Sequence, residues 1–412
     1  MRNGSINAAG NRGARAVLAA GAVTMSLSLS PLMAASAGAT AKPTASSGWE
    51  RVAVPDLGSA SLSSITAPSR DVAWVGAGVD RHQPQGTSAR SGRSGLLGLR
   101  TYSPRDTASC STNETFRSAV LRWNGANWTR VTIPDVGGVG SIASASPRNV
   151  WAGGECGSLH WDGRSWTATP YALLPGQSSP ENVVFSSDGR ADAWIIEREL
   201  GEETIKNYAE RWDGSAWQVV SLPKLDDNTI LTTISVLGPD DTWMAGEDAA
   251  GQAFFLHWDG RTWTRDAAPQ IDHKEARIAR MRVLAPNDIW ATGNGVDPGS
   301  DGWNVSSPLI MHWDGHRWTN TPISAAQPKG VIYDVAADRG HLWAAGDTFS
   351  WGLPYETAAL NWTGSEWTPS PAPVAGQGTL NALASIAGGG LWGVGYVNDT
   401  DGTLTPVVVR HK

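Results

Sequence analysis

The chain has few cysteines and no excess of basic residues, and each scarcity excludes a class of protein. Only two cysteines, Cys110 and Cys156, occur among its 412 residues, so it is not a small domain held together by a disulfide framework. Lysine and arginine number 32 against 39 acidic residues, for a net charge of −7. A nucleic-acid partner is therefore disfavoured, because binding one requires cations that neutralise phosphates.

Long apolar runs are also absent, except at the N-terminus. Residues 16–32 follow three arginines and precede Ala35-Ser36-Ala37, the small-residue pattern of a signal-peptide cleavage site. No other run approaches the roughly 20 apolar residues that a membrane span needs. We therefore predict a signal peptide over residues 1–37, a short linker over 38–47, and a secreted, extracellular protein without a membrane span.

Tryptophan is abundant, and its spacing predicts the fold. Twenty of the 22 tryptophans belong to two alternating motifs, a W-(D/N)-G-x-x-W pair and a single tryptophan about 25 residues further on. The pairs are Trp123/Trp128, Trp161/Trp166, Trp212/Trp217, Trp258/Trp263, Trp313/Trp318, Trp362/Trp367 and a truncated copy at Trp49; the single tryptophans are Trp74, Trp151, Trp194, Trp243, Trp290, Trp343 and Trp392. Repeats of this length, rich in strand-forming residues, are typical of a radial β array.

Each repeat has the pattern of four short strands. In the fourth repeat we predict strands over residues 231–237, 242–246, 253–258 and 261–265. Asp259-Gly260 joins the last two, and this dipeptide favours a two-residue type I′ hairpin. Such a turn pairs Trp258 with Arg261 and places Trp258 and Trp263 on one face. That face packs against the neighbouring repeat, so the repeated tryptophans are predicted to be core residues.

The two ends of the chain complement each other. The last repeat has three strand patterns and stops before a fourth, whereas residues 48–55 read as a fourth strand without the first three. We predict an all-β, seven-bladed β-propeller over residues 48–412, with four antiparallel strands per blade and a long inserted loop over 80–118. The N-terminal strand completes the last blade, which removes an exposed sheet edge.

The motifs carry a family resemblance. The stretches 256–264 (LHWDGRTWT) and 287–293 (NDIWATG) resemble the repeat of secreted actinobacterial β-propellers, which alternate L-x-H-W-D-G-x-x-W with D-x-W-A-x-G. The resemblance covers residues 48–412 and implies a lectin-like protein that binds a ligand or partner. Some propellers of this kind resemble the lectin-like components of secreted toxin particles.

The two cysteines fall on connections of adjacent repeats. Cys110 lies in the long insertion, and Cys156 follows Trp151 of the second repeat. An even number of cysteines in an oxidising compartment usually means pairing. We predict a Cys110–Cys156 disulfide that fixes the 80–118 insertion, stabilising the fold by about 3 to 4 kcal/mol in the chain-entropy model.

No catalytic group, metal or cofactor is predicted. His160, His257 and His312 each precede a motif tryptophan on a different repeat, too far apart to share an ion. The oxygen-rich turn 398–402 lacks the usual 6 to 8 calcium ligands. The spaced Asp and Gly of sialidase hairpins and the copper ligands of galactose oxidase are not evident. We therefore predict a non-enzymatic protein.

Long connections gather at one end of the ring, which we call the variable end. In an up-and-down blade, the connections from the second to the third strand and from the fourth strand to the next blade lie at that end. The connections from the first to the second and from the third to the fourth strand lie at the opposite end, which we call the short-turn end. Because loops on a rigid scaffold carry binding residues, and sugars stack on aromatic rings, we predict a site there that includes the two tryptophans outside the motifs. The long connections are 80–118, 169–181, 198–207, 266–276, 294–308, 347–356 and 398–405, and the site residues are Trp303, Trp351, Tyr355, Asp301, Asn304 and Asp347.

Two alternatives stay open at the same end. Glu155 and Glu247 would act as a glycan hydrolase or lyase pair if their carboxylates lay within about 10 Å of each other. The arginine-rich 80–118 insertion would instead dock an acidic partner in a larger assembly. The predicted partner is a carbohydrate or a secreted protein, and the chain is monomeric or part of a secreted complex.

Overall fold

The predicted fold class is confirmed by a computed structural model. The structure describes residues 48–80, 116–154, 157–172, 183–187, 193–200, 204–299, 304–326, 329–349 and 355–412. These residues form seven four-stranded antiparallel sheets, which are the blades of a β-propeller. No helix in this described part of the chain is long and apolar enough to cross a membrane.

Each blade has four strands. The first is the inner strand, which contacts the inner strands of the neighbouring blades, and the fourth is the outer strand. The strands are β1 (Trp49–Val52), β2 (Ala60–Ser69), β3 (Val72–Asp80), β4 (Phe116–Trp123), β5 (Trp128–Val131), β6 (Ser141–Ser146), β7 (Asn149–Gly154), β8 (Gly157–Trp161), β9 (Trp166–Thr169), β10 (Val183–Ser187), β11 (Ala193–Leu200), β12 (Ile205–Trp212), β13 (Trp217–Val220), β14 (Ile230–Gly238), β15 (Asp241–Glu247), β16 (Ala253–Trp258), β17 (Trp263–Ala267), β18 (Glu275–Ala285), β19 (Asp288–Pro298), β20 (Asn304–Trp313), β21 (Trp318–Asn320), β22 (Val331–Asp338), β23 (His341–Asp347), β24 (Thr357–Trp362), β25 (Trp367–Ser370), β26 (Gly378–Ser385), β27 (Leu391–Asn398) and β28 (Leu404–His411). Blades 1 to 6 take β2–β5, β6–β9, β10–β13, β14–β17, β18–β21 and β22–β25, and blade 7 takes β26–β28 with β1.

The ring closes as predicted. Strand β1 pairs antiparallel with β28, with Trp49 opposite His411 and Val52 opposite Val408. His411 therefore occupies the position of the first motif tryptophan and Trp49 that of the second. Asn381 of blade 7 donates to the carbonyl of Leu62 in blade 1 at 2.8 Å, which joins the inner strands across the closure.

The predicted hairpin register was wrong by two residues. Trp258 pairs with Trp263, so the loop between them holds four residues and Arg261 is not in a strand. The Oδ1 atom of Asp259 accepts the N–H groups of Arg261 and Thr262, each at 2.8 Å, and Gly260 has a φ of +91°. The aspartate side chain satisfies the loop amides, and a four-residue loop results instead of a type I′ turn.

The repeated tryptophans are core residues, as predicted, because they form clusters between blades. The single Trp194 of blade 3 lies 6.0 and 5.8 Å from Trp258 and Trp263 of blade 4, ring centroid to centroid. The arrangement recurs around the ring; at the closure Trp343 contacts Trp49 and His411. The single tryptophans are generally the most deeply buried, and Trp258 is only half-buried.

The motif histidines stack on the single tryptophan of their own blade. His257 lies 4.2 Å from Trp243 at an interplanar angle of 14°. Both rings reach Asp241 Oδ1, the Nε2 atom of His257 at 3.0 Å and the Nε1 atom of Trp243 at 3.0 Å. The same contacts recur around Trp290, where Trp290 and His312 share Asp288. In blade 2, His160 stacks on Trp151 and hydrogen-bonds to the side chain of Asn149. These histidines therefore have a structural role in each blade.

Two connections at the variable end are more regular than the sequence indicated. Strands β19 and β20 stay paired up to Pro298 opposite Asn304, and β11 and β12 stay paired up to Leu200 opposite Ile205. Strand β4 begins at Phe116, inside the predicted 80–118 insertion. Cys110, Cys156 and residues 1–47 lie outside the described residues, so the disulfide and the signal peptide stay predictions.

Candidate functional site

The structure describes four of the eight predicted site residues, all at the variable end. Asp347 and Tyr355 lie in one cluster between blades 6 and 7, whereas Asn304 and Glu247 belong to blades 5 and 4. Asn304 is exposed at the tip of the β19–β20 hairpin. The other four, which lie outside the described residues and stay predictions, are Trp303, Trp351, Asp301 and Glu155.

Asp347 is a buried residue, not the exposed loop carboxylate that the sequence indicated. It ends β23 and is 3% exposed. Its Oδ2 atom accepts the Thr379 hydroxyl at 2.8 Å, and its Oδ1 atom accepts the Phe349 N–H at 2.9 Å. Tyr333 also hydrogen-bonds to it. Burial raises the pKa of Asp347 to about 6, although these hydrogen bonds oppose the shift.

Three tyrosines surround this carboxylate. Tyr333, Tyr355 and Tyr396 are each partly buried. Tyr355 hydrogen-bonds to the Asn398 side chain and to Tyr396. We call Tyr333, Asp347, Tyr355, Tyr396 and Asn398 the tyrosine cluster. Sequence reasoning missed Tyr333 and Tyr396 because they lie in strands, whereas the predicted site consists of loop residues.

The raised pKa of Asp347 predicts a specific pH dependence of stability. The carboxyl titrates near 3.9 when unfolded and at about 6 when folded, so the cost of burying its charge is absent below about pH 4, grows as the pH rises from about 4 to about 6, and is complete above that. Asp347→Asn should therefore gain roughly 2 to 3 kcal/mol relative to wild type between about pH 4 and pH 7. Urea unfolding at both pH values measures the difference.

Asp213→Asn is the matched control, with the opposite sign. Hydrogen bonds led by the Ala216 N–H lower the pKa of the exposed Asp213 to about 2. The ionised Asp213 carboxylate stabilises the fold at neutral pH, and this contribution disappears as the pH falls through about 2. Asp213→Asn should therefore gain no stability relative to wild type between about pH 4 and pH 7. A wild-type to Asp347→Asn difference that is independent of pH would contradict the assignment.

Glu247 lies between blades 4 and 5 and is mostly buried. Its Oε2 atom is 3.8 Å from Nε of Arg277, which also binds Glu275 at 2.8 Å. Burial raises the pKa of Glu247 to about 7, and the Arg277 charge opposes that shift. The predicted pairing of Glu247 with Glu155 falls outside the described residues, and the hydrolase alternative stays a prediction.

A pair of buried acids lies in blade 3, and sequence reasoning missed it. Glu197 of β11 and Glu210 of β12 are 2% and 1% exposed. Glu197 lies opposite Tyr208 and Glu210 opposite Ile195, so both carboxylates lie on one face of the sheet as diagonal neighbours. We call Glu197 and Glu210 the carboxylate pair. Burial raises the pKa of Glu197 to about 8, and the charge of Glu210 adds to the shift.

The repeat itself shows how unusual this pair is. Glu197 stands three residues after the single tryptophan, and Glu210 stands two residues before the first motif tryptophan or its replacement His411. Elsewhere the first position is Gly or Ala and the second is a buried apolar residue. The counterparts of Glu197 are Ala77, Gly154, Gly246, Gly293, Gly346 and Gly395, and those of Glu210 are Leu121, Leu159, Leu256, Met311, Leu360 and Val409. An alignment of the seven repeats would have found both glutamates.

The short-turn end also carries a cavity. Its volume is about 390 Å³, and it lies between blades 5 and 6 against Trp290, His312, Leu342 and Trp362. Most of this lining consists of repeat positions that are already paired, such as His312 with Asp288 at 2.9 Å. None of the described predicted site residues lines it.

Comparisons with known proteins agree on the fold. No protein-family model matches the chain, and no curated protein sequence is significantly similar to it. YCF48 from Cyanidioschyzon merolae superposes with a TM-score of 0.53 at 15% identity, covering 88% of this chain and 98% of that one. YCF48 bound to D1 peptide gives a TM-score of 0.52 at 14% identity, with coverages of 88% and 96%.

A lectin structure is more distant. The Aleuria aurantia lectin in complex with Fucα1-6GlcNAc has a TM-score of 0.43 at 10% identity, covering 76% of this chain and 95% of that one. At these identities the likeness is one of fold, and a fold does not determine a function.

Proposed function

We propose that this chain is a secreted, non-enzymatic binding protein that holds a carbohydrate at the variable end of its propeller. The observation that carries the proposal is the tyrosine cluster, which joins blades 6 and 7 beside the connection that contains Trp351. Three partly buried tyrosines, a buried carboxylate and an amide meet there. The described tyrosines outside this cluster, Tyr171 and Tyr208, lie near the carboxylate pair.

The chemistry of the cluster suits a sugar. A tyrosine ring offers an apolar face for the C–H groups of a pyranose and a hydroxyl for its polar edge. Binding sites combine such aromatic walls with a few fixed polar groups. Asn398 and the tyrosine hydroxyls supply those groups, and the buried Asp347 stands behind them, fixed by the Thr379 hydroxyl, while Asn398 donates to the Tyr355 hydroxyl. Tyr333 and Tyr396 lie in strands, which limits the conformational entropy that binding costs.

A protein ligand is the second candidate. It is favoured by the D1 peptide-bound structure of YCF48, whose fold this chain shares. Tyrosine-rich surfaces also serve protein recognition, because tyrosine is enriched at interfaces. This candidate includes an assembly subunit of a larger secreted particle, and it predicts a protein that co-purifies with the mature chain.

Three single variants test the site. Tyr355→Ala, Trp303→Ala and Trp351→Ala should each weaken binding to a glycan selected from an array by roughly tenfold, or about 1.4 kcal/mol. Their thermal melts should stay close to that of wild type, because none belongs to the repeated core. Isothermal titration with the mature chain, residues 38–412, gives the affinities.

Two controls separate the outcomes. Tyr355→Phe keeps the ring and removes the hydroxyl, so it should lose less affinity than Tyr355→Ala. Tyr208→Phe changes a tyrosine of blade 3, outside the tyrosine cluster, and should not change affinity. If no glycan binds while a protein co-purifies, the carbohydrate proposal fails and a protein ligand replaces it. If the Trp303 and Trp351 variants lose as much stability as core variants do, the assignment of these residues to the site fails.

A further inference from the structure

The carboxylate pair poses a physical problem that the proposed function does not address. Burying an ionised carboxylate is costly unless it is hydrogen-bonded and paired with a cation. Blade 3 nevertheless carries glutamate at two positions where the other blades carry glycine, alanine or a buried apolar residue. Leucine at position 210 would continue the core as Leu256 does in blade 4.

The immediate surroundings leave one carboxylate oxygen without a partner. Glu210 Oε2 accepts the Ala172 N–H at 2.9 Å. Glu197 Oε1 is buried and has no hydrogen-bond partner among the described residues. Both side chains lie on the sheet face that carries Ile195, which packs against Trp151 and Tyr171 of the blade 2 side. An unpartnered oxygen is therefore held next to a second carboxylate in the space between blades 2 and 3.

We infer that Glu197 and Glu210 form a binding site for a divalent cation of the calcium type. Two carboxylates with no histidine or thiol near them among the described residues are the ligand set of a hard cation. The described residues bring no third His, Cys, Asp or Glu side chain to the pair. Two further oxygens of the described part lie on this side of blade 2, the Gly154 carbonyl and the Tyr171 hydroxyl that donates to it at 2.8 Å, and such oxygens together with water can serve as additional ligands.

A bound cation would fasten the chain after β9 to blade 3. The Ala172 N–H already reaches Glu210, and Tyr171 already reaches back to Gly154. The cation would therefore link blade 2, this connection and blade 3 at the variable end. A ligand that binds only the folded state stabilises that state, and above Kd the stabilisation grows with the logarithm of the ratio of ligand concentration to Kd.

Thermal melts of the mature chain test this directly. After treatment with EDTA and its removal, CaCl₂ should raise Tm in a saturable way, by roughly 2 to 4 °C at about a hundred times Kd. Glu197→Gln and Glu210→Gln should fold, because the amides match the carboxyls in shape, and should lose the rise. Calorimetric titration should give one site in wild type.

Two further variants make the outcome decisive. Glu210→Leu restores the residue of the other blades and should be stable and insensitive to calcium. Glu247→Gln removes another buried glutamate, between blades 4 and 5, and should keep the full rise. The inference is overturned if wild type shows no calcium-dependent rise, or if both glutamine variants at positions 197 and 210 keep it, which would place the ion elsewhere. Neither result depends on which ligand the tyrosine cluster holds.

Discussion

Replacing Trp194 by alanine should lower the free energy of unfolding by about 3 to 5 kcal/mol, the usual cost of truncating a large aromatic core residue. Trp194 is fully buried and contacts both Trp258 and Trp263 of the next blade. The substitution therefore leaves a cavity at a blade interface, which the rigid neighbouring sheets cannot fill. For a domain of this size, the loss corresponds to a fall in Tm of roughly 5 °C.

Calorimetry on two companion variants checks the reason for this effect. Trp194→Phe should retain part of the stability, because it keeps an aromatic ring in the same space. Trp258→Ala should cost less than Trp194→Ala, since Trp258 is already half-exposed. If the two alanine variants lost the same free energy of unfolding, the extent of burial would not explain how much each tryptophan contributes to stability.

Deleting residues 48–55 should destabilise the propeller by at least the roughly 3 to 5 kcal/mol expected for the loss of Trp49 alone. The deletion removes the only strand paired with the outer edge of β28 and takes Trp49 away from Trp343 and His411. It also exposes an unpaired sheet edge, which favours association between molecules. Thermal melts and light scattering on the mature chain should show a lower Tm and aggregation.

The adjoining segment provides the control. Deleting residues 38–47, the predicted linker, should leave Tm unchanged. Glu50→Gln removes an ion pair with Lys412 whose side chains are 60% and 70% exposed, and such exposed pairs contribute little. An unchanged Tm after loss of residues 48–55 would contradict closure through β1.

The spacing of the tryptophans made the fold predictable. The prediction of the hairpin register was wrong because that register depends on local side-chain chemistry. Seven copies of one hydrophobic spacing predict seven blades, because the spacing depends only on strand alternation and interblade burial. The length of the Asp259-Gly260 loop depends instead on how the aspartate oxygen meets the amides of Arg261 and Thr262. A dipeptide alone does not determine that arrangement.

The site was less predictable because its geometry comes from distant parts of the chain. Asp347 was selected as a loop carboxylate, but its burial depends on Tyr333 and Thr379 in two other strands. The carboxylate pair differs, since its signal was present in the repeat and needed only the alignment of Glu197 and Glu210 with their counterparts. A departure from the repeat is therefore a signal that the position of a residue in a loop does not give.

The shared blade at the closure also determines when the ring can form. The strand that begins at Trp49 is synthesised first, and its partner, β28, only near the opposite end of the chain. Blades 1 to 6 can assemble in turn from neighbouring segments, as in other repeat proteins, but the first strand must wait for almost the whole chain. Until then the strand is a short segment whose partner strand has not yet been synthesised. Closure is thus the most non-local contact of the fold, and the slowest contacts to form are those that close the longest loops.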